Sequence, residues 1–437
     1  MVNRGNSSKM WEILKSNRKL IFNQDIVNQI KFDMIIDDKL SALNVGIVLR
    51  DLELLEVANS VFERIIETDA NYACAYHEYS ESLIRSDRHA EALCQARKAI
   101  ELEPEVFRFV LQYGRLLAGA GDINHAQETL DKLVLNDQES RINVLITCQF
   151  VNYLRQFPRA MMEATISRIS GGLDYYSDSV TAQAVLDAVR DEAPFSVVRL
   201  GDGEGAWMFM TNSDEAMYAE LYRNNRASFL KDWFGADDLL ESNQFFAFST
   251  KIHKVLESAD IVGIPDLSRI KHEYRLLSRR GIPSSVNIYR KLNIMRYNRN
   301  CRQRFTSNNI HMQLNSQGFF SELWKAGKHF GIITSYQDLP DMLRRQVGVE
   351  IQHQFFTPGD SRNFWIESGK RPLRQFPDVV EDLSLELSRL DLHGVVFLVA
   401  AGFVGKQYLP IIKQQGGIAL DIGGVANNWA RTMLANR

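Results

Sequence analysis

Phe195-Ser-Val-Val-Arg-Leu-Gly-Asp-Gly-Glu-Gly205 decides how the rest of this chain is read. Residues 195–200 are a short β-rich apolar run. Gly201, Gly203 and Gly205 then alternate with Asp202 and Glu204, which breaks both strand and helix periodicity. The pattern predicts a strand that ends in a tight loop. Glycine permits close approach to the main chain, so both carboxylates are presented with little bulk around them. In an open α/β sheet the ligand crevice lies beyond the carboxyl ends of the strands, where a loop after Leu200 falls. Hard oxygen donors there suit Mg²⁺ or Mn²⁺, which take one or two protein carboxylates and leave positions for water and substrate phosphates. Taken alone, Asp-Gly-Glu fits a solvated turn better, so the surroundings have to decide.

Downstream, short apolar runs at 245–248, 261–264, 330–334, 351–356, 395–400 and 418–422 alternate with helical patterns. The helices are placed at 177–192, 213–233, 251–258, 267–280, 316–325, 339–347, 379–390 and 404–415. Alternation of this kind predicts βαβ units in a mostly parallel, Rossmann-like sheet. The near-continuous apolar run 395–400 predicts a central strand covered on both faces.

Upstream the period changes. Ala58, Ala92 and Ala126 lie 34 residues apart, and Phe62, Ala96 and Leu130 follow each of them by four. Residues 73–104 resemble a tetratricopeptide repeat, with Tyr76, Tyr79, Ser80, Leu83, Ala92, Ala99 and Pro104 at the repeat's key positions. The third unit keeps Tyr113, Gly114, Leu117, Gly121 and Ala126, and Ala160 marks a degenerate fourth. Small residues are expected where the helices of a pair cross. Three parts follow: a helical segment over 1–38 with Trp11, Leu14, Ile26, Ile30 and Ile35 as core contacts, an all-α repeat region over 39–172 ending at Gly171-Gly172, and an α/β domain over 173–437. A solenoid offers a concave surface for a protein partner or serves as a spacer. Tyr72, Tyr76, His77 and Tyr79 read as packing residues.

Composition narrows the class. A net charge of −3, from 51 basic and 54 acidic residues, gives no electrostatic footprint for nucleic acid. Cys74, Cys94, Cys148 and Cys301 form no Cys-x-x-Cys pair, which argues against a zinc site or a disulfide framework and fits a reducing compartment. Residues 1–20 carry no apolar signal-peptide core, and the run 394–405 is shorter than the ~20 residues that span a bilayer. The expectation is a cytoplasmic protein.

Arg199-Leu-Gly-Asp-Gly-Glu204 resembles the Arg-Phe-Gly-Asp-Gly-Glu signature of the GT-D fold glycosyltransferases. Ile261-Val-Gly-Ile-Pro-Asp266 resembles their Leu-Ile-Gly-Ile-Pro-Asp block. Leu398-Val-Ala-Ala-Gly402 and Gly417-Ile-Ala-Leu-Asp-Ile-Gly423 are similar to the C-terminal blocks, and the likeness covers roughly 175–437. It implies that Asp202 and Glu204 hold a divalent ion and a nucleotide sugar, a UDP-sugar first, for transfer to a glycan or glycoprotein acceptor in bacterial surface polysaccharide or glycoprotein assembly. Gly424 stands where the family pattern has histidine, and Thr334-Ser335-Tyr336 where related sequences carry a glutamate. No general base follows from the likeness; Asp338, Asp360 and Glu367 are unranked candidates.

Other residues complete the expected site. Gly402, at a strand-to-helix turn, and Lys406 suit a pyrophosphate, although neither a Walker motif nor a dinucleotide fingerprint is present. Gly201, Gly203 and Gly423 shape the loops, and Asp266 ends a strand on the same rim. Arg199 could orient a carboxylate or phosphate. Asp421, inside an apolar strand, must find a partner: a sugar or ribose hydroxyl, or an arginine such as Arg199. The basic stretch 287–317 with His311 reads as an acceptor lid or a solvated surface helix. Two rival functions remain, a phosphoryl- or nucleotidyl-transferase using the same acids, and a repeat-based interaction protein with a degenerate catalytic domain.

Overall fold

The computed structural model describes residues 39–133, 137–297, 304–359 and 374–434. The helical segment expected over 1–38, Cys301, Arg299 and Arg302 of the basic stretch, and the candidate bases Asp360 and Glu367 lie outside them. The chain forms two compact units, one of residues up to Arg155 with Arg275–Leu277, the other of Gln156–Tyr274 and Ser278–Arg437.

In the first unit, helices Lys39–Asp51, Ala73–Arg85 and Phe107–Gly119 begin 34 residues apart, as do their partners Leu55–Thr68, His89–Leu102 and Ile123–Asp131. Ala58, Ala92 and Ala126 are fully buried, so the small residue falls where each pair packs. A second small position shares the period. Gly46, Ser80 and Gly114 lie 34 residues apart; Gly46 faces Phe62 and Gly114 faces Leu130, and a Cβ on Gly46 would come within 2.5 Å of the Phe62 ring. The tight turns repeat too, with positive φ at Glu53, Asp87 and Gly121. Tyr76 and Tyr79 are buried, as packing residues should be. Ion pairs Arg50–Glu78 and Arg115–Glu81 tie each leading helix to the next. The helix Gln138–Gln156 closes this unit, and Arg159–Ser170 belongs to the second; its Ala160 is exposed and so does not play the crossing role of the earlier alanines.

In the second unit seven parallel strands are ordered β3-β2-β1-β7-β6-β4-β5. They are β1 Phe195–Arg199, β2 Ile261–Ile264, β3 Arg304–Ser307, β4 His329–Thr334, β5 Ile351–Phe356, β6 Val395–Ala400 and β7 Ile418–Asp421. The expected α/β class and parallel sheet are present, and β6 is an interior strand, buried from Val395 to Val399. Val197, Ile261, Ile332, Val396 and Leu398 meet Val185, Leu323, Leu343 and Val425 in one apolar core. The chain leaves β1 towards β2 and β3, then crosses to build β4 to β7 on the other side. The break in strand order therefore lies between β1 and β7, where a ligand crevice belongs.

Several expectations need correction. Residues 245–248 are helical, within Asn243–Thr250: Phe245 and Phe248 are buried while Phe246 is exposed, an i,i+3 pattern, and Ser242 caps the start. The Asp202-Gly-Glu stretch is one helical turn, Asp202–Ala206, rather than an open loop. The 213–233 helix breaks into Asn212–Met217 and Ala219–Phe234, and 404–415 into Gly402–Gly405 and Tyr408–Gln414. The 316–325 helix is Phe319–Ala326, and a separate short helix, Ile310–Ser316, precedes it. Within the basic stretch, the helix Gly281–Tyr297 is no solvated surface helix, since Ile282, Val286, Asn287, Ile288 and Tyr289 are buried. Edge strand β3 also lies there. Its polar sequence hides it, and pairing with β2 together with the Tyr175–Phe305 bridge holds it.

The repeat packing makes a direct test. Ala92→Leu places three more carbons at a fully buried crossing, and overpacking of a filled core typically costs about 1–3 kcal/mol. Chemical denaturation of the full chain should show that loss in the transition assigned to the repeats; an unchanged midpoint would mean the pair does not close at this residue.

Candidate functional site

The β1/β7 junction carries a chain of charges. Arg199 ends β1, and its guanidinium crosses to the end of β7, where Nη2 donates to Asp421 Oδ1 at 2.9 Å and Nε to the Asp421 carbonyl at 3.0 Å. Nη1 donates to the Asn308 carbonyl at 3.1 Å and lies 2.9 and 3.0 Å from the two ring nitrogens of His311. On the other side of Asp421, Lys406 Nζ donates to Oδ2 at 2.6 Å. The same ammonium lies 3.1 Å from Glu204 Oε1, and Glu204 Oε2 accepts from the Gly201 N–H at 2.7 Å. The order is Glu204, Lys406, Asp421, Arg199, His311. Two cations and two anions sum to zero.

Asp421 has found its partner, and of the two options open from the sequence the arginine is the one seen, joined by Lys406. Asp421 and Lys406 are both buried. Burial alone would raise the Asp421 carboxyl, but Arg199 and Lys406 outweigh it and hold it well below the usual carboxylate range. Burial would lower Lys406, and Asp421 with Glu204 reverses that, so the ammonium is raised above its ordinary value. His311 is driven down to about 3 by burial and by Arg199, which leaves the ring neutral at physiological pH and a poor general base.

Two cavities flank this chain. One, of about 180 Å³, is lined by Gly402, Phe403, Gly423, Gly424 and Asn427 with Ser335 and Trp233, so it sits on the loops after β4, β6 and β7. The Trp233 and Phe403 rings stack at 4.7 Å with 6° between planes. Gly402 has φ +56° and no atom within 4 Å of a Cβ built on it, so its backbone faces open space. Gly423 must also lack a side chain, because a Cβ there would sit 2.0 Å from Arg199 Nη2. The cavity is small beside the ~300–1,000 Å³ of sites that enclose a ligand, so a nucleotide sugar would lie partly outside it. The second cavity, of about 590 Å³, is lined by Arg199, Asp266, Arg269, His272, Asn308 and His311. Asp266 accepts from Ser268 Oγ, the Arg269 N–H and Ser307 Oγ, and these bonds lower its carboxyl against the upward push of burial.

Of the residues singled out in the sequence, Arg199, Gly201, Glu204, Lys406, Asp421 and Gly423 come together in one network. Gly402 lines the first cavity, and Asp266 lies outside the network and lines the second cavity with Arg199. Gly203 leaves room for the Trp233 ring, 2.4 Å from a Cβ built there. Asp338 is exposed. Sequence reasoning misses Trp233 and Phe403; Phe403, directly after Gly402 on the turn, is the one visible hint.

Whether a divalent ion fits is decided by Glu204. One of its oxygens is taken by a backbone N–H and the other by an ammonium. An ion on that oxygen would lie close to Nζ; at 4 Å two unit charges repel by about 4 kcal/mol at an effective dielectric near 20, and a divalent ion doubles this. The side chain of Asp202 lies outside the described set. Among the described residues no group of three or more His, Cys, Asp or Glu could hold a metal. Among the described residues these contacts do not fit an ion held by Glu204.

No protein-family model matches this chain, and no curated protein does. Among solved structures it is similar to a Thermobaculum terrenum O-GlcNAc transferase variant at 11% identity, over 87% of this chain and 74% of that one, with a TM-score of 0.23. A superposition that loose carries no argument about fold or chemistry. Among the described residues no helix is long and apolar enough to cross a membrane.

The charge chain sets a pH expectation. Asp421, with a depressed folded value, contributes stability that is present above its unfolded value near pH 4 and is lost as pH falls through the folded one. Lys406, with a raised value, contributes stability present below about pH 10 and lost as pH rises further. Asp421→Asn leaves the network with one excess positive charge and should cost about 3–5 kcal/mol at pH 7. Denaturant unfolding would show the loss shrinking below pH 4; a cost under about 1 kcal/mol, the range of exposed pairs, would mean the carboxylate does not hold the junction.

Proposed function

We propose that the chain is a glycosyltransferase that moves a sugar from a nucleotide-sugar donor, a UDP-sugar first, to a glycan or glycoprotein acceptor, with the helical repeats as a contact surface for the acceptor or a protein partner. One observation supports it above the others. The Arg199-Leu-Gly-Asp-Gly-Glu204 stretch and the Asp421 strand, which resemble separate GT-D signature blocks, meet through Arg199, Lys406 and Glu204 at the break in strand order, beside a cavity on the strand ends. In the transfer the acceptor oxygen bonds to the anomeric carbon as the bond from that carbon to the diphosphate oxygen breaks. The electron pair leaves with the nucleoside diphosphate, and the hydroxyl proton goes to a base. Gly402, Gly424 and Asn427 line that cavity, and in this reading their backbone and the Asn427 amide meet the diphosphate. Transfer in bacterial surface polysaccharide or glycoprotein assembly follows from the GT-D likeness. Both Glu204 oxygens already face a donor, the Gly201 N–H and the Lys406 ammonium, so the divalent ion implied by that likeness is not assigned to Glu204.

A repeat-based scaffold with an inactive second unit is the other reading, and one observation favours it: the charges of Arg199, Glu204, Lys406 and Asp421 are all met internally. Incubating the full chain with labelled nucleotide sugars separates the two. Release of labelled sugar with a nucleoside diphosphate is expected; transfer of phosphate or nucleotide would instead identify a phosphoryl or nucleotidyl transferase. Gly402→Val should weaken nucleotide binding, because the branch enters the cavity, and lower stability by about 1–3 kcal/mol through strain at positive φ. Unchanged nucleotide affinity in a calorimetric titration would remove this cavity from the donor site.

A further inference from the structure

We propose that the Lys406 ammonium permanently occupies the cation position between the acids at the β1 and β7 ends, so that Glu204 binds no divalent metal and the site works on this resident charge. The catalytic half of this inference rests on the proposed sugar transfer; the metal-binding half does not.

Lysine offers three N–H donors on a point charge and no acceptor. Lys406 is 4% exposed, and its Nζ meets Asp421 Oδ2 at 2.6 Å and Glu204 Oε1 at 3.1 Å. These carboxylates come from distant parts of the chain and would repel if no cation lay between them. The ammonium supplies that cation, with Arg199 completing neutrality from the far side of Asp421. A buried lysine is retained in a core only when its charge is met, and here two carboxylates meet it. A divalent ion on Glu204 would have to break the contact between that carboxylate and the ammonium, or sit beside the ammonium against Coulomb repulsion. Lys406 does not line either cavity, so it acts as a positioning residue: it fixes Glu204, which in turn holds the Gly201 N–H and the turn after β1.

The test is Mn²⁺ titration of the full chain followed by electron paramagnetic resonance, with Glu204→Gln and Lys406→Met alongside. The wild type should leave the free-ion signal intact, or bind Mn²⁺ in a way that Glu204→Gln does not change. Lys406→Met should gain a Mn²⁺ site, and its lowered melting temperature should recover in part when Mn²⁺ is added. Wild-type binding that disappears in Glu204→Gln would overturn the proposal, as would a folded Lys406→Met that takes up no Mn²⁺. If Lys406→Met fails to fold, the wild-type and Glu204→Gln pair decides alone. Sugar release should be unimpaired by EDTA, and release that EDTA abolishes would overturn the resident-charge role. Absence of release with every nucleotide sugar counts against the glycosyltransferase reading instead and leaves the Mn²⁺ result standing.

Discussion

The Asp421 carboxylate, on the central strand of the sheet, is the group on which the junction of the two sheet halves depends. β7 lies between β1 and β6, and Asp421 is its last residue, level with Val399 of β6. A buried anion there is tolerable only because a guanidinium arrives from β1 and an ammonium from the turn after β6. The Arg199 and Lys406 side chains are thereby fixed, and with them Asn308, His311 and Glu204. Such a network adds little net stability over an apolar filling, but it fails badly when one member is removed. Its effect is to specify one arrangement of the strand ends.

That arrangement explains the glycines nearby. Gly423 leaves the space that Arg199 Nη2 needs, and Gly402 keeps its backbone open to the cavity. The same economy organises the repeat unit, where Gly46 makes room for Phe62 and Gly114 for Leu130. In both units the small residues mark where larger groups must come close.

Much of this was legible in the sequence. β1, β2, β4, β6 and β7 are short apolar runs bounded by glycine or polar residues, and an interior parallel strand has no other way to look. The 34-residue period survives because each repeat packs only on its neighbours, so each must keep the same small residues. β3 escaped because an edge strand needs few apolar residues: Arg304-Phe-Thr-Ser307 carries one aromatic side chain and is held by its backbone. The 245–248 run misled because clustered phenylalanines satisfy strand and helix patterns alike until burial separates Phe246 from Phe245 and Phe248. The partner of Glu204 was invisible for a different reason. Charge pairing between a turn after β1 and a turn after β6 depends on strand order, which local pattern does not encode. Lys406 thus read as a phosphate ligand, while in the structure it is the counter-ion of two acids. Asp421 and Arg199, 222 residues apart, were paired in the sequence reading only because a buried acid demands a cation.

A crystal structure of the full chain grown with a UDP-sugar and Mn²⁺, with anomalous data at the manganese edge, bears most directly on this account. It predicts the diphosphate in the cavity lined by Gly402, Gly424 and Asn427, with the Lys406 ammonium still between Glu204 and Asp421 and no anomalous peak on Glu204. A manganese ion bound to Glu204 with Lys406 displaced, or a nucleotide seated away from that cavity, would contradict it.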